Sequence, residues 1–240
     1  MTFATIIIAL AIFAVAWFLV PFAWRKAEER RLAKLCRAER AIVLTFDDGP
    51  GAGLTPRLLD MLERNQIPAT FFMLGRNAAQ NHALAGQVQA AGHEIGSHTF
   101  HHSNAWKTDP VTYSRDVEHG MTELRALGLS PHAFRPPYGK LTLASLIAAR
   151  ARDLPLGLWT IDSRDSWAPR PMDNVISDLE QQGGGVVLMH DLDSYAVHGA
   201  GHDHAGYVLE LTERLISLGR KRGYTFKRYS EIASIAGAGG

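Results

Sequence analysis

A parallel α/β fold, closed into a distorted barrel of about seven strands and preceded by one N-terminal transmembrane helix, is what this 240-residue sequence predicts. Three observations carry that reading. The N-terminus is uncharged and strongly apolar; beyond Arg40, short apolar runs alternate with helical patterns; and acids and histidines gather where those runs end. An apolar fraction of 46% with 20% charged residues is that of a globular chain. The net charge of +1, with no basic stripe interleaved with aromatics, argues against a nucleic-acid partner. Cys36 is the one cysteine, which excludes an intrachain disulfide and a cysteine-based zinc site.

Residues 2–24 carry no charge and are dense in Ile, Leu, Val, Phe and Trp. A helix of that length, rising about 1.5 Å per residue, crosses a hydrocarbon core of roughly 30 Å. A cleavable signal peptide has a basic n-region and a shorter apolar stretch. No basic side chain precedes this segment, which favours a retained single-pass anchor in the bacterial inner membrane. Residues 25–40 hold seven basic and three acidic side chains at helical spacing and read as a juxtamembrane linker helix. Cations flanking a span tend to stay cytoplasmic. Here they all follow the span, so the charge pattern puts the rest of the chain on the cytoplasmic side.

Next come seven strand candidates, at 41–46, 69–75, 93–100, 132–139, 154–162, 184–191 and 224–230. Helical patterns lie between them, with Pro56 and Pro110 near helix starts and Gly92, Gly128 and Gly223 after helix ends. Strands separated by helices make parallel βαβ units. Closure into a barrel is preferred because no glycine-rich nucleotide loop follows a strand; the glycines at 183–185 precede theirs. The predicted domain spans 41–232, with a flexible tail over 233–240.

In a parallel barrel the reactive groups collect at the C-terminal strand ends. The sequence sets Asp47-Asp48, His98 with His102, Arg135 with Tyr138, Asp162 with Asp165, and His190 at those positions. Two neutral imidazoles and a carboxylate make a three-ligand zinc set that leaves one position open. Neighbouring residues on a strand face opposite ways, so two adjacent acids serve one site only if the backbone bends between them. One acid would then hold the metal and the other act as general base. By parity His101 points elsewhere. The loop over 198–206, with His198, His202 and His204, reads as a solvated loop, with a second metal site as the alternative. His82, His93, His119 and His132 read as surface or capping residues.

The segments TFDDGP, SHTFHH, RPPYG, DSRDSW and LMHD, in that order, resemble the five motifs of the NodB-type polysaccharide deacetylases, carbohydrate esterase family 4. The resemblance implies a metal-dependent hydrolase that removes N-acetyl groups from amino sugars in a polysaccharide or lipid-linked glycan. It makes Asp47 the general base, Asp48, His98 and His102 the metal ligands, and Arg135 the partner that keeps Asp47 ionised. Tyr138 would offer a backbone N–H to the oxyanion, Trp167 would wall the cleft, and Leu188 would line the acyl pocket. His190 would be the general acid and Asp165 the residue that tunes it. The implied metal is divalent, zinc first, with cobalt, nickel or manganese tolerated. The fourth motif departs from the family, because Ser166 separates Asp165 from Trp167; Asp162 is therefore an alternative partner for His190. Two rival readings keep the fold. One is a silent glycan-binding module, whose mark would be a lost base, ligand or acid, and all of these are present. The other is a deformylase or deacetylase of a lipid-linked sugar.

Overall fold

The structure, a computed structural model, describes residues 3–151, 155–193 and 203–235. Helix α1 (Phe3–Ala38) carries the apolar stretch and the charged stretch in one unbroken helix, Pro21 included. The chain turns at Arg40 into β1 (Ala41–Asp47). Six further strands follow: β2 (Thr70–Met73), β3 (Glu94–Ser97), β4 (Pro131–Phe134), β5 (Ile161–Asp162), β6 (Gly185–His190) and β7 (Thr225–Phe226). They form one sheet of order β4-β3-β2-β1-β6-β5, with β7 also on β1, and every pairing is parallel. The connecting helices are α2 (Leu54–Asn65), α3 (Gly75–Gln80), α4 (His82–Ala90), α5 (Pro110–Ala126), α6 (Leu143–Arg150), α7 (Met172–Gln182) and α8 (His204–Arg222); α9 (Tyr229–Ala233) follows β7.

The barrel seam lies between β4 and β5. The strand expected over 154–162 keeps regular pairing only at Ile161 and Asp162. Upstream, Pro155–Gly157 runs beside Phe134: the Phe134 N–H donates to the Pro155 carbonyl, and the Gly157 N–H to that of Phe134. A single bridge, Phe134 to Leu156, marks the seam among the described residues. The strand expected over 224–230 shortens to Thr225–Phe226 because Tyr229 already opens α9.

All seven residues of β1 are buried, as a strand covered on both faces requires. Alternation divides them. Ile42, Leu44 and Phe46 belong to the outer core, with Leu58 and Leu62 of α2 and Leu211 and Leu215 of α8. Ala41 and Val43 belong to the inner core, with Phe72, Leu158 and Val186. The same parity carries Thr45 and then Asp47 inward, delivering a carboxylate to the top of the barrel.

Helix α1 takes part in this core. Leu32 and Cys36 are fully buried against the inner cluster, and Arg31 donates to the carbonyls of Ala233 and Ile235. At the bottom of the barrel, Gly184 (φ +128) permits a close approach: a Cβ there would stand 2.5 Å from the Ala41 carbonyl oxygen and 2.8 Å from that of Cys36. His93, which reads as a surface or capping residue, is buried, its Nδ1 accepting from the Ala69 N–H at 3.2 Å.

Tyr229 closes the inner core under the seam. Its hydroxyl donates to the Leu156 carbonyl at 2.7 Å and accepts from the Leu158 N–H at 3.2 Å. Tyr229→Phe keeps the ring and strands both backbone groups, which costs about 1–3 kcal/mol for each buried group left unsatisfied. The thermal midpoint in detergent should fall by several degrees; an unchanged midpoint would show that the seam does not depend on this hydroxyl.

Candidate active site

At the end of β1 the chain solves the problem of two adjacent acids with a bend. Asp48 sits in the left-handed region at φ 74, which an Asp tolerates better than most residues. Its carboxylate therefore stays on the same side as that of Asp47. The loop is held from below: Asn77 donates to the Asp48 carbonyl at 2.7 Å, and buried Asp191 accepts from Gly49 N–H and Thr55 Oγ1.

Arg135 follows β4 and is completely buried inside the barrel. Its Nη1 donates to Asp47 Oδ1 at 2.7 Å and to Thr45 Oγ1 at 2.8 Å. Nε and Nη2 reach the Gly157 and Leu158 carbonyls, and the guanidinium lies 4.0 Å over the Phe72 ring. Arg135 was expected to lower the Asp47 pKa, and it does pull downward. Burial is the larger effect, and the carboxyl is pushed up to about 6.

The other acid faces two histidines. His98 Nε2 lies 3.4 Å and His102 Nε2 3.3 Å from Asp48 Oδ1, and ligand atoms of the three residues fall within 4.8 Å of one another. Burial holds both imidazoles down at about 4, so they are neutral near pH 7. His98 Nδ1 is 2.8 Å from the Arg135 carbonyl, which makes Nδ1 the donor and leaves the Nε2 lone pair directed at the carboxylate. A lone pair facing a carboxylate oxygen at this distance is favourable only with a cation between them. The donor set therefore fits a divalent metal. His101 turns away, as parity predicts, to Asp116 Oδ1 at 2.8 Å.

Across the cleft, His190 ends β6. Asp165 takes its Nδ1–H at 2.8 Å and its backbone N–H at 2.8 Å, so Asp165, not Asp162, is the partner. Asp162 instead accepts from the Arg164 N–H. Arg164 at φ 57 absorbs part of the turn, and Ser166 comes to 3.5 Å from His190 Nε2. Burial disfavours the imidazolium, but the Asp165 carboxylate outweighs it and lifts His190 to about 10. Burial likewise works against the Asp165 anion, and the histidines around it overcome that and hold its pKa well below the usual range.

Asp47, Asp48, His98, His102, Tyr138, Trp167, Leu188 and His190 all line one cleft of about 710 Å³, while Arg135 and Asp165 support it from behind. Tyr138 stands at the mouth, at φ 59, with its ring 4.6 Å from that of His102.

The family model described as polysaccharide deacetylase matches residues 34–156. A Bacillus cereus peptidoglycan-N-acetylglucosamine deacetylase is 33% identical over 198 residues, covering 81% of this chain and 88% of that one. The chain belongs to the polysaccharide deacetylase family. A Bradyrhizobium chitooligosaccharide deacetylase is 34% identical over 63% of this chain and 71% of its own length. Among solved structures, a peptidoglycan N-acetylglucosamine deacetylase in complex with 4-naphthalen-1-yl-N-oxidanyl-benzamide superposes with a TM-score of 0.72 at 26% identity, over 83% of this chain and 91% of the other. A family 4 carbohydrate esterase from Streptomyces lividans in complex with acetate gives 0.66 at 26% identity, over 78% and 91%. This polysaccharide deacetylase is thus a carbohydrate-active hydrolase of a metal-dependent family.

Sequence reasoning missed four features of the deacetylase site. Trp159 lines the cleft with its ring 5.6 Å from the Arg135 guanidinium, and Arg25 of α1 joins the lining beside it. Asp191 shapes the loop bearing Asp48. His204, assigned to a solvated loop, is buried at the start of α8 with Nε2 3.1 Å from Asp165 Oδ2; His198 and His202 lie outside the described residues. Trp159 and Asp191 could have been found as neighbours of strand-end motif residues. Arg25 and His204 come from elements whose docking no local pattern encodes.

The His190–Asp165 pair has a signed pH dependence. A folded-state pKa raised above the ordinary 6.5 contributes stability that is full below about pH 6.5 and fades as pH rises towards 10. Asp165→Asn removes the largest upward influence and leaves burial opposed only by the more distant Asp47 and Asp48, so the His190 titration midpoint should fall well below 10. Imidazole NMR titration reads this directly; a midpoint that stays near 10 would show that another group protonates His190.

Proposed function

We propose that this protein hydrolyses the N-acetyl group of amino sugars in a glycan, working at the membrane to which α1 anchors it. The observation that carries the reading is the division of one cleft into three stations. Asp47 sits on Arg135, the Asp48–His98–His102 set stands beside it, and a protonated His190 lies opposite. A divalent cation, zinc first by the mixed carboxylate–imidazole donors, would be held by Asp48, His98 and His102 and would act there as a Lewis acid.

The chain's own residues supply the rest. Arg135 orients Asp47, whose pKa near 6 leaves it ionised at neutral pH yet basic enough to take a proton from an attacking water. As the water oxygen bonds to the acetamide carbon, the Tyr138 N–H serves as a donor to the developing oxyanion. His190 holds a proton at neutral pH and gives it to the sugar nitrogen as the C–N bond breaks, releasing acetate and the free amine. Leu188 closes around the acetyl methyl, and Trp167 gives the sugar a wall.

Acetate release from N-acetylglucosamine oligomers by the full chain in detergent tests the activity, with chelation expected to abolish it and divalent metal to restore it. Asp48→Ala should lose metal, whereas Asp47→Asn should keep metal and lose about 10²–10⁴-fold in rate. Equal metal loss in both variants would overturn the division of labour.

The cations that follow the span favour a cytoplasmic catalytic domain. The peptidoglycan in the names of the relatives favours the opposite face. A C-terminal alkaline phosphatase fusion, active only after export, should be silent; strong phosphatase activity would place the domain outside.

A further inference from the structure

The direction in which α1 leaves the domain has a consequence for substrate. At Cys36 and Arg37 the helix touches the bottom of the barrel, where Arg37 Nε donates to the Gln182 carbonyl just before β6. At Arg25 it touches the top, since Arg25 Nη1 donates to the Gly139 carbonyl at 2.7 Å and its guanidinium lies 5.0 Å over Trp159. Those 11 residues rise about 16 Å. The helix therefore runs antiparallel to the strands and emerges past the end that carries the cleft. Gly139 is what lets it through: at φ +59, a Cβ there would stand 2.7 Å from both Arg25 Nη1 and Trp159.

Beyond Arg25 the helix continues to Phe3, about 33 Å further at the same rise, and roughly the last 22 Å of that lie beyond Phe18. Its side chains there, Ile12, Phe13 and Leu19 among them, are exposed, and an 18-residue window of the helix has a mean hydropathy of 2.7. The domain follows it part of the way. Trp106 packs edge-on against Phe18 with centroids 5.7 Å apart, two turns past Arg25. Trp106 lies on the same connection as His102 and is tied by its Nε1–H to the Leu141 carbonyl, with Lys140 Nζ 3.9 Å over its ring. Tyr138 and Trp167 of the cleft lining are 55% and 57% exposed and Trp106, beside α1 at the same end, 49%, giving that end of the domain the aromatic and basic character of a membrane interface.

We infer that the catalytic mouth faces the bilayer, and that the substrate is an N-acetylated saccharide carried on a lipid in the same membrane. The inference rests on the deacetylase reading above and holds for either face of the membrane. With the cleft opening at headgroup level, a lipid-borne sugar arrives by lateral diffusion, whereas a free polymer must enter between the rim and the lipid surface.

The full chain in proteoliposomes tests this. One N-acetylglucosamine oligosaccharide is offered free in solution, glycosidically linked to a long-chain lipid in the same vesicles, and linked to that lipid in separate vesicles. Acetate release from the same-vesicle substrate should exceed the other two at least tenfold at equal total concentration. Equal rates from free or separate-vesicle substrate would overturn the inference and leave the deacetylase reading intact. Release from none of the three would count against the deacetylase reading itself. A readout independent of activity decides the geometry in that case. In a Trp17→Phe background, lipids brominated near the headgroup should quench a component of tryptophan fluorescence that Trp106→Phe removes. Identical quenching with and without Trp106 would mean that the mouth faces away from the membrane.

Discussion

The buried contact between Arg135 and Asp47 is the constraint on which the site depends. A fully desolvated guanidinium survives inside a barrel only if nearly every N–H finds an acceptor, and here Asp47, Thr45 and two backbone carbonyls supply them. Breaking one partner from such a pair typically costs about 3–5 kcal/mol, because the other charge stays buried. The same residue reaches the neighbouring station through its backbone, since its carbonyl fixes the His98 tautomer. Asp47, His98 and the seam are thus coordinated from one position.

Local backbone strain marks the same region. Asp48, Thr99, His102, Tyr138 and Arg164 all have positive φ without being glycine, and all lie on loops at the top of the barrel. Each such conformation costs free energy that the surrounding packing must offset. At Asp48 the benefit is explicit, because the turn brings to one side two carboxylates that a regular strand would send apart. At Arg164 it lets an extra residue, Ser166, fit between Asp165 and Trp167 without removing Asp165 from His190.

Helix α1 has two unlike halves. Its last turns carry Leu32 and Cys36 into the inner core, while the turns before Arg25 expose large apolar side chains and are long and apolar enough to cross a membrane. Because one continuous helix does both, the direction in which its apolar half leaves the domain is fixed by packing and not by a flexible tether. Arg25, at the junction, belongs to the helix and to the cleft wall together.

Much was decided by sequence alone. The parallel βαβ order follows from alternating apolar runs and capped helical patterns. Strand-end placement of Asp47, Asp48, His98, His102, Arg135 and His190 follows from period-two alternation and from where the runs stop, both of which are local properties. What the tertiary structure alone decided depends on burial and on distant docking. It set the Asp47 pKa, where desolvation overrides the neighbouring cation, and chose Asp165 over Asp162 by the path of the turn. It also recruited His204 from a segment that composition assigns to solvent. The pose of α1 is the clearest instance. Hydropathy shows that the helix is long and apolar enough to cross a membrane, but only the contacts of Arg25 and Trp106 show by which end of the barrel it leaves the domain. The physical reason is that periodicity encodes which face of an element is apolar, while the partner that covers that face is chosen by packing between residues far apart in the sequence.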